Sequence, residues 1–393
     1  MAVQTTNGVK TGQQVAANPL LQLVEQGQSV WLDFIDRKFL QSGKLQQLID
    51  EDGLRGMTSN PTIFEKAIAG GDAYDDQLQD LIGVGKDAGA IFEALAIADI
   101  QAVCDTFRPL YDATEGQDGF VSIEVSPALA HDTEGTLAEA RRLWQTVGRP
   151  NVMIKVPGTK EGWPAVEELL SEGLNVNITL LFSQEHHERV MWNYIAGLER
   201  RAAAGQPIDR IASVASFFVS RVDTLVDKLL EEKIAQASGA EAERLRGLLG
   251  KAAIANAKLA YANFQRVFAD PRFKALKAQG ARVQRPLWAS TSTKNPAYRD
   301  VIYVEELIGP HTVNTLPSAT IDAFRDHGRV RRSLDQGVDE ARATLEALRE
   351  VGIDYEAATK QLEREGVDSF AKSYDQLIAG VEKKRQELAR TED

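Results

Sequence analysis

Residues 151–158 read NVMIKVPG. Successive side chains of a strand point to opposite faces, so Val152, Ile154 and Val156 share one face and Met153 and Lys155 the other. The same alternation recurs along the chain. In FVSIEVS, Val121, Ile123 and Val125 alternate with Ser122 and Glu124. In LNVNITLLF, Val176, Ile178 and Leu180 alternate with Asn175, Asn177 and Thr179. In VWLDFID, Asp33 shares a face with Trp31 and Ile35. One polar residue in a strand is ordinarily an exposed position. Several on different strands, all of matching parity, imply a common polar interior.

Short β-branched runs are expected as strands at Val30–Ile35, Leu54–Thr58, Phe120–Val125, Asn151–Val156, Leu174–Leu181, Ile211–Phe217, Arg285–Ala289 and His311–Asn314. Between them, Asp72–Leu81, Ile91–Tyr111, Thr136–Thr146, Trp163–Glu172 and Glu185–Ala204 have helical apolar spacing. Eight strands separated by helices predict a closed (β/α)8 barrel of TIM type, with an open doubly wound sheet as the alternative. No Gly-x-Gly-x-x-Gly or Walker-type loop supports that alternative. In a barrel the apolar faces meet the outer helices. Asp33, Glu124, Lys155, Asn177 and Thr179 then point inward near the C-terminal strand ends, where barrel active sites are built.

Residues 1–393 read as a single barrel domain. Residues 1–17 are polar and expected to be flexible, 222–280 are expected as a helical insertion, and 319–393 as a helical tail punctuated near Gly337, Gly352 and Gly366. The charged runs Glu231–Lys233 and Glu382–Lys384 are read as solvated faces.

With 43% hydrophobic and 26% charged residues, the composition is that of a globular protein. The net charge of −12 argues against nonspecific nucleic-acid binding. No apolar run is long enough for a signal peptide or membrane span, and the single cysteine, Cys104, permits no internal disulfide, so the cytoplasm is the expected compartment. The five histidines offer no ligand pattern, and no metal or cofactor is expected. His186 and His187 lie beside Glu185 and Glu188 and are read as residues on a helix surface.

The inward set points to a chemistry. Burial disfavours the ammonium form of a lysine, and a neutral amine attacks a ketone carbonyl to form an imine. The iminium is an electron sink for cleaving the adjacent carbon–carbon bond. A carboxylate such as Asp33 or Glu124 is the base for the departing hydroxyl proton. Asn60, Asn177, Thr179 and Ser216 suit the hydroxyls of a sugar. Structural readings compete at each position. Asp33 could cap a turn, Glu124 could pair with Lys155, and Asn60 before Pro61 could be a turn residue. Ser216 could be an ordinary strand hydroxyl, and Arg221 could pair with Asp223 or Asp227.

The chain resembles the transaldolase family. The resemblance runs from about Gln28 to Phe324 through VWLDFID, MTSNPTIFEKAI, FVSIEVSP, NVMIKVPGTKEGW, LNVNITLLFS, SVASFFVSRVD and WASTSTKNP, in family order. The length suggests the longer bacterial-type branch. The resemblance implies that Lys155 is the Schiff-base lysine and Asp33 the acid–base group for bond cleavage. Glu124 and Thr179 would hold the water that relays protons. Asn60, Asn177 and Ser216 would bind hydroxyls, and Arg221 the terminal phosphate. Many relatives have a second phosphate-binding arginine where this chain has Lys294. The implied reaction transfers a dihydroxyacetone unit from sedoheptulose 7-phosphate to glyceraldehyde 3-phosphate, a step of the pentose phosphate pathway. A fructose 6-phosphate aldolase shares barrel and lysine but releases free dihydroxyacetone. In that subgroup a glutamine resembles Glu124 and a tyrosine resembles Phe218, so this chain reads as the transferase. A non-catalytic phosphosugar-binding barrel would be expected to have lost the lysine or a carboxylate. The sequence gives no oligomeric state.

Overall fold

The structure, a computed structural model, describes residues 18–69 and 71–390. The segment 1–17, expected to be flexible, lies outside the described residues. Eight strands form the barrel wall: β1 (Gln28–Asp33), β2 (Gly56–Thr58), β3 (Phe120–Glu124), β4 (Val152–Pro157), β5 (Val176–Leu181), β6 (Ser213–Phe218), β7 (Arg285–Ala289) and β8 (Thr312–Leu316). They pair in parallel in chain order, and β8 returns to β1, closing a (β/α)8 barrel.

The alternation that opened the sequence reading determines how the wall packs. Val152, Ile154 and Val156 are fully buried, and β4 packs against the helices Thr133–Val147 and Gly162–Glu172. Burying each such side chain contributes roughly 1.5–3 kcal/mol. The helices begin where short polar residues accept orphan amides: Asp87 from Ala90, Asp132 from Gly135 and Ser183 from His186.

Strand boundaries shift where polar side chains enter the barrel. β1 starts at Gln28 rather than Val30, because Gln28 Nε2 donates to Leu307 O at 2.6 Å and to Thr312 Oγ1 at 3.0 Å. β8 continues past Asn314 to Leu316 and brings Thr315 into the wall. Hydrophobic patterning is blind to such polar strand residues.

Four helices lie between β6 and β7: Ser220–Ile234, Gly239–Arg246, Ala252–Val267 and Pro271–Lys277. They are not uniformly surface additions. Ala252, Ala257 and Ala260 are fully buried, and Ala252–Val267 packs against Gln184–Ala203 in the outer ring. After β8, Ser318–His327 packs against β1 and the helix Pro19–Glu25. Two further helices follow, Val338–Glu350 and Tyr355–Arg390. Gly337 and Gly352 bound the first of these with φ of 68° and 77°, a conformation that favours glycine. Gly366 is not a break. It lies inside the 36-residue final helix, where a Cβ would come within 3.0 Å of Leu180 Cδ2, so glycine lets the helix approach the barrel closely.

Two surface readings are corrected by burial. His187 is fully buried with its ring 5.3 Å from Phe217, while His186 packs on Trp163 and pairs with Glu363 at 2.9 Å. Lys384 binds Asp75 and the carbonyl of Gly71, each at 2.5 Å, instead of projecting into solvent.

Candidate active site

Parallel register places Glu124, Lys155 and Asn177 side by side on β3, β4 and β5. Lys155 is only 5% exposed. Its Nζ lies 3.3 Å from Glu124 Oε2 and donates to Ser59 O at 3.2 Å. Asp33, at the end of β1, accepts a hydrogen bond from Thr58 Oγ1 at 2.7 Å, and that hydroxyl also lies 2.7 Å from Thr315 Oγ1.

Burial raises the Asp33 carboxyl above the usual carboxylate range, with the Lys155 charge and the Thr58 bond opposing it. Burial likewise raises Glu124, opposed by Lys155 and reinforced by the like charge of Asp33. Both acids are of intermediate exposure as whole residues, and Asp33 lines the central cavity. One lysine thus faces two such acids, an arrangement suited to moving a proton.

Hydroxyls and amides fill the space beside the lysine. Ser216 Oγ donates to Asn177 Oδ1 at 2.7 Å, and Asn177 Nδ2 donates to Ser122 Oγ at 2.9 Å. Both polar atoms of Asn177 are therefore engaged within the barrel, whereas Ser216 also lines the cavity. Thr179 Oγ1 is buried and has no hydrogen-bond partner among the described residues. It sits beside a register shift between β5 and β6, where Leu180 has φ of 61°, and such irregularities re-aim neighbouring side chains. Asn60 caps the helix Pro61–Ala69, its Oδ1 accepting from Ile63 N at 3.1 Å, and it also lines the cavity. The turn reading and cavity contact coexist there.

The cavity has a volume of about 310 Å³ and includes Asp33, Lys155 and Thr179 in its lining. Its lining also includes the buried Phe218, the half-buried Arg221 and the exposed Lys294. Arg221 does not pair with Asp223 or Asp227. Asp223 accepts from Tyr303 and the Ala253 amide, and Asp227 from Tyr298 and the Gly250 amide. No carboxylate among the described residues lies within 4.0 Å of the Arg221 guanidinium, which stands 5.3 Å from the Phe218 ring centre. Burial lowers its pKa, with Glu365 opposing the shift. Lys294 is exposed, and its Nζ donates to Ser292 Oγ at 2.7 Å.

Glu124 lines a second, smaller cavity that also includes Asn60, Glu139 and Tyr374. Sequence reading missed Thr58, Thr315, Ser292, Lys66 and Phe370, all of which line the central cavity. Thr58 and Ser292 lie within quoted motifs and were legible by their proximity to Asn60 and Lys294. Thr315 was lost with the truncated β8. Phe370 carries no local signal, since it reaches the site from the final helix. Cys104 is buried in the helix Ala88–Ala113. Among the described residues no group of three His, Cys, Asp or Glu side chains could hold a metal ion. No described helix is long and apolar enough to cross a membrane.

Residues 30–381 match the family described as Transaldolase/Fructose-6-phosphate aldolase. The transaldolase of Trichodesmium erythraeum (strain IMS101) is 48% identical over 377 residues, covering 95% of this chain and 99% of the relative. That of Acidothermus cellulolyticus is 50% identical over 378 residues, 95% of this chain and 100% of the relative. The transaldolase of Thermobifida fusca is 51% identical over 365 residues, 93% and 97% respectively. With a lysine and two carboxyls gathered at the C-terminal end of its barrel, the chain belongs to the transaldolase/fructose-6-phosphate aldolase family.

Proposed function

We propose that this chain is a transaldolase that moves a dihydroxyacetone unit from a ketose phosphate donor, sedoheptulose 7-phosphate, to an aldehyde phosphate acceptor, glyceraldehyde 3-phosphate. The observation that carries this reading is the buried Lys155 amine, 3.3 Å from Glu124, in a cavity that it shares with Asp33 and with cations at the rim. Lys155 attacks the donor carbonyl, and water held by Glu124 and Thr179 carries the protons needed to lose hydroxide from the carbinolamine. Asp33 takes the hydroxyl proton as the carbon–carbon bond breaks, and the first aldehyde leaves. The three-carbon unit stays on Lys155 as an enamine. It attacks the acceptor, Asp33 returns the proton, and hydrolysis frees the product.

Arg221 is the principal phosphate ligand in this reading, because its guanidinium has no carboxylate partner to displace. Lys294 adds charge without a bidentate fork. Asn60 and Ser216 contact sugar hydroxyls. Asn177 holds Ser216 through the bond at 2.7 Å and acts beside the lysine. Glu124 and Phe218 favour transfer over release, because a phenylalanine beside the enamine donates no proton to it. The proposed compartment is the cytoplasm, consistent with one buried cysteine.

A coupled assay tests the choice of reaction. Erythrose 4-phosphate and fructose 6-phosphate should form from the two named substrates. Free dihydroxyacetone should form from a donor alone at a small fraction of that rate. Release without acceptor at a rate matching transfer would make the chain an aldolase of the lyase type.

A further inference from the structure

The final helix, Tyr355–Arg390, lies across the open end of the barrel, and one residue of it reaches the lysine. Ala358, Leu362, Gly366, Phe370, Leu377 and Val381 are buried, four residues apart except for one interval of seven, which forms one stripe along the helix. Polar contacts hold the helix at intervals. Glu363 pairs with His186 at 2.9 Å, Ser373 accepts from Thr62 at 2.8 Å, and Lys384 binds Asp75 at 2.5 Å. Between these fixed points the Phe370 ring centre stands 5.7 Å from Lys155 Nζ. The ring is buried and lines the central cavity together with Phe218, which packs against Phe182 at 5.1 Å.

We propose that Phe370 is a specificity-determining residue that commits the bound three-carbon unit to transfer by keeping water from the carbon–nitrogen bond on Lys155. This inference rests on the Schiff-base reading above. The competing reaction is hydrolysis of the enamine. A water proton adds to the nucleophilic carbon, giving an iminium and hydroxide. Hydroxide adds to the iminium carbon, and the carbinolamine collapses as its hydroxyl proton passes to nitrogen. The carbon–nitrogen bond breaks, so one water is consumed and dihydroxyacetone and the free amine result. Both stages need water at the face of the lysine adduct.

An aromatic ring offers no donor or acceptor to order such a water, and it favours a cation beneath it. Glu124 and Thr179 present polar atoms on the barrel side of the lysine, so the ring restricts water to the position where those residues control it. The helix also seats the ring close to the barrel, because Gly366 lets its backbone lie against Leu180 and Phe182.

The test measures, in one preparation, free dihydroxyacetone released from a ketose phosphate donor without acceptor and transfer with acceptor aldehyde phosphate. Phe370→Ala should raise the ratio of release to transfer at least about tenfold. Phe370→Tyr keeps the bulk and adds a hydroxyl over the lysine, and it should raise the ratio severalfold. Phe370→Trp should leave it near the wild-type value. If the alanine variant does not fold, the tyrosine variant carries the test alone. An unchanged ratio in the folded alanine variant, or in the tyrosine variant when that stands alone, overturns the proposal, even if overall activity falls. Borohydride trapping of the wild-type protein separates the two levels of the argument. No adduct on Lys155 removes the Schiff-base reading itself, whereas a normal adduct with an unmoved ratio removes only the role of Phe370.

Discussion

The two ends of the barrel each hold a cluster of opposite charges, half-buried at the N-terminal end and buried at the C-terminal end, and they differ in how completely those charges are satisfied. At the N-terminal end Arg285, on β7, lies 3.1 Å from Asp118 Oδ1, donates to Ser29 Oγ at 2.8 Å, and donates to Gln117 O at 2.9 Å. Ser29 itself donates to Asp118 at 2.7 Å. At the C-terminal end Lys155 stands 3.3 Å from Glu124, Thr179 Oγ1 has no hydrogen-bond partner among the described residues, and Arg221 has no carboxylate within 4.0 Å. A satisfied cluster holds strands together, whereas buried polar groups left incompletely satisfied are a cost that stability alone does not explain. Buried polar atoms without a hydrogen-bond partner among the described residues occur at the N-terminal end too, as at Gln28 Oε1 and Gln284 Oε1, so incomplete pairing marks the reactive end only together with the buried lysine and its two carboxyls.

The largest way to break this contrast is to remove the amine. Lys155→Ala should lower transfer by at least about 10⁴-fold and leave the fold intact by circular dichroism, because the loss concerns chemistry. A residual rate within tenfold of wild type would remove the lysine from the reaction. Asp33→Asn should lower kcat by roughly 10² to 10⁴-fold. Donor should still be trapped on Lys155 by borohydride, since imine formation precedes the step that needs Asp33. Equal losses in trapping and turnover would assign Asp33 to imine formation instead.

At the other end the expected effect is on stability. Arg285→Ala leaves Asp118 without its cation and should cost about 1–2 kcal/mol in urea unfolding, with KM and kcat near wild type in the folded protein. A large kinetic defect without loss of stability would contradict the division of labour between the two ends.

Carboxylates near the phosphate end allow the contrast to be sharpened by pH. Burial pushes the Asp223 carboxyl up from 3.8 to about 6, against its bonds from Ala253 and Tyr303. The folded state therefore favours the neutral acid. Its stabilising contribution is complete below about pH 4 and is lost as pH rises through 6. Asp223→Asn should match wild type near pH 4 and exceed it by up to about 3 kcal/mol near pH 8, as read from urea midpoints at both pH values. A difference that is constant with pH would refute that account. The smallest effect belongs to Lys294→Ala, which should raise KM for phosphorylated substrates about tenfold with kcat little changed, as expected for one exposed charge.

Much of this organisation was legible because parity survives without knowledge of the fold. Alternation in NVMIKVPG, FVSIEVS and LNVNITLLF identified Lys155, Glu124, Asn177 and Thr179 as one inward set, and the parallel register of β3, β4 and β5 brings the first three side by side. Polar strand ends were harder. Gln28 and Thr315 extend strands whose hydrophobic pattern has already stopped, so β1 and β8 were misframed and Thr315 was missed. The final helix was the least legible. Its stripe resembles that of any amphipathic helix, and Gly366 read as a break where it serves close packing. The burial of His186 and His187 and the pairing of Lys384 also depend on which helices meet, a tertiary fact that local charge does not carry.

Borohydride trapping with a ketose phosphate donor tests the central claim most directly. The account predicts a reduced three-carbon adduct on Lys155, located by peptide mass spectrometry, and absent from Lys155→Ala. An adduct on another lysine such as Lys66 or Lys294, or no adduct at a donor concentration that supports turnover, would contradict it.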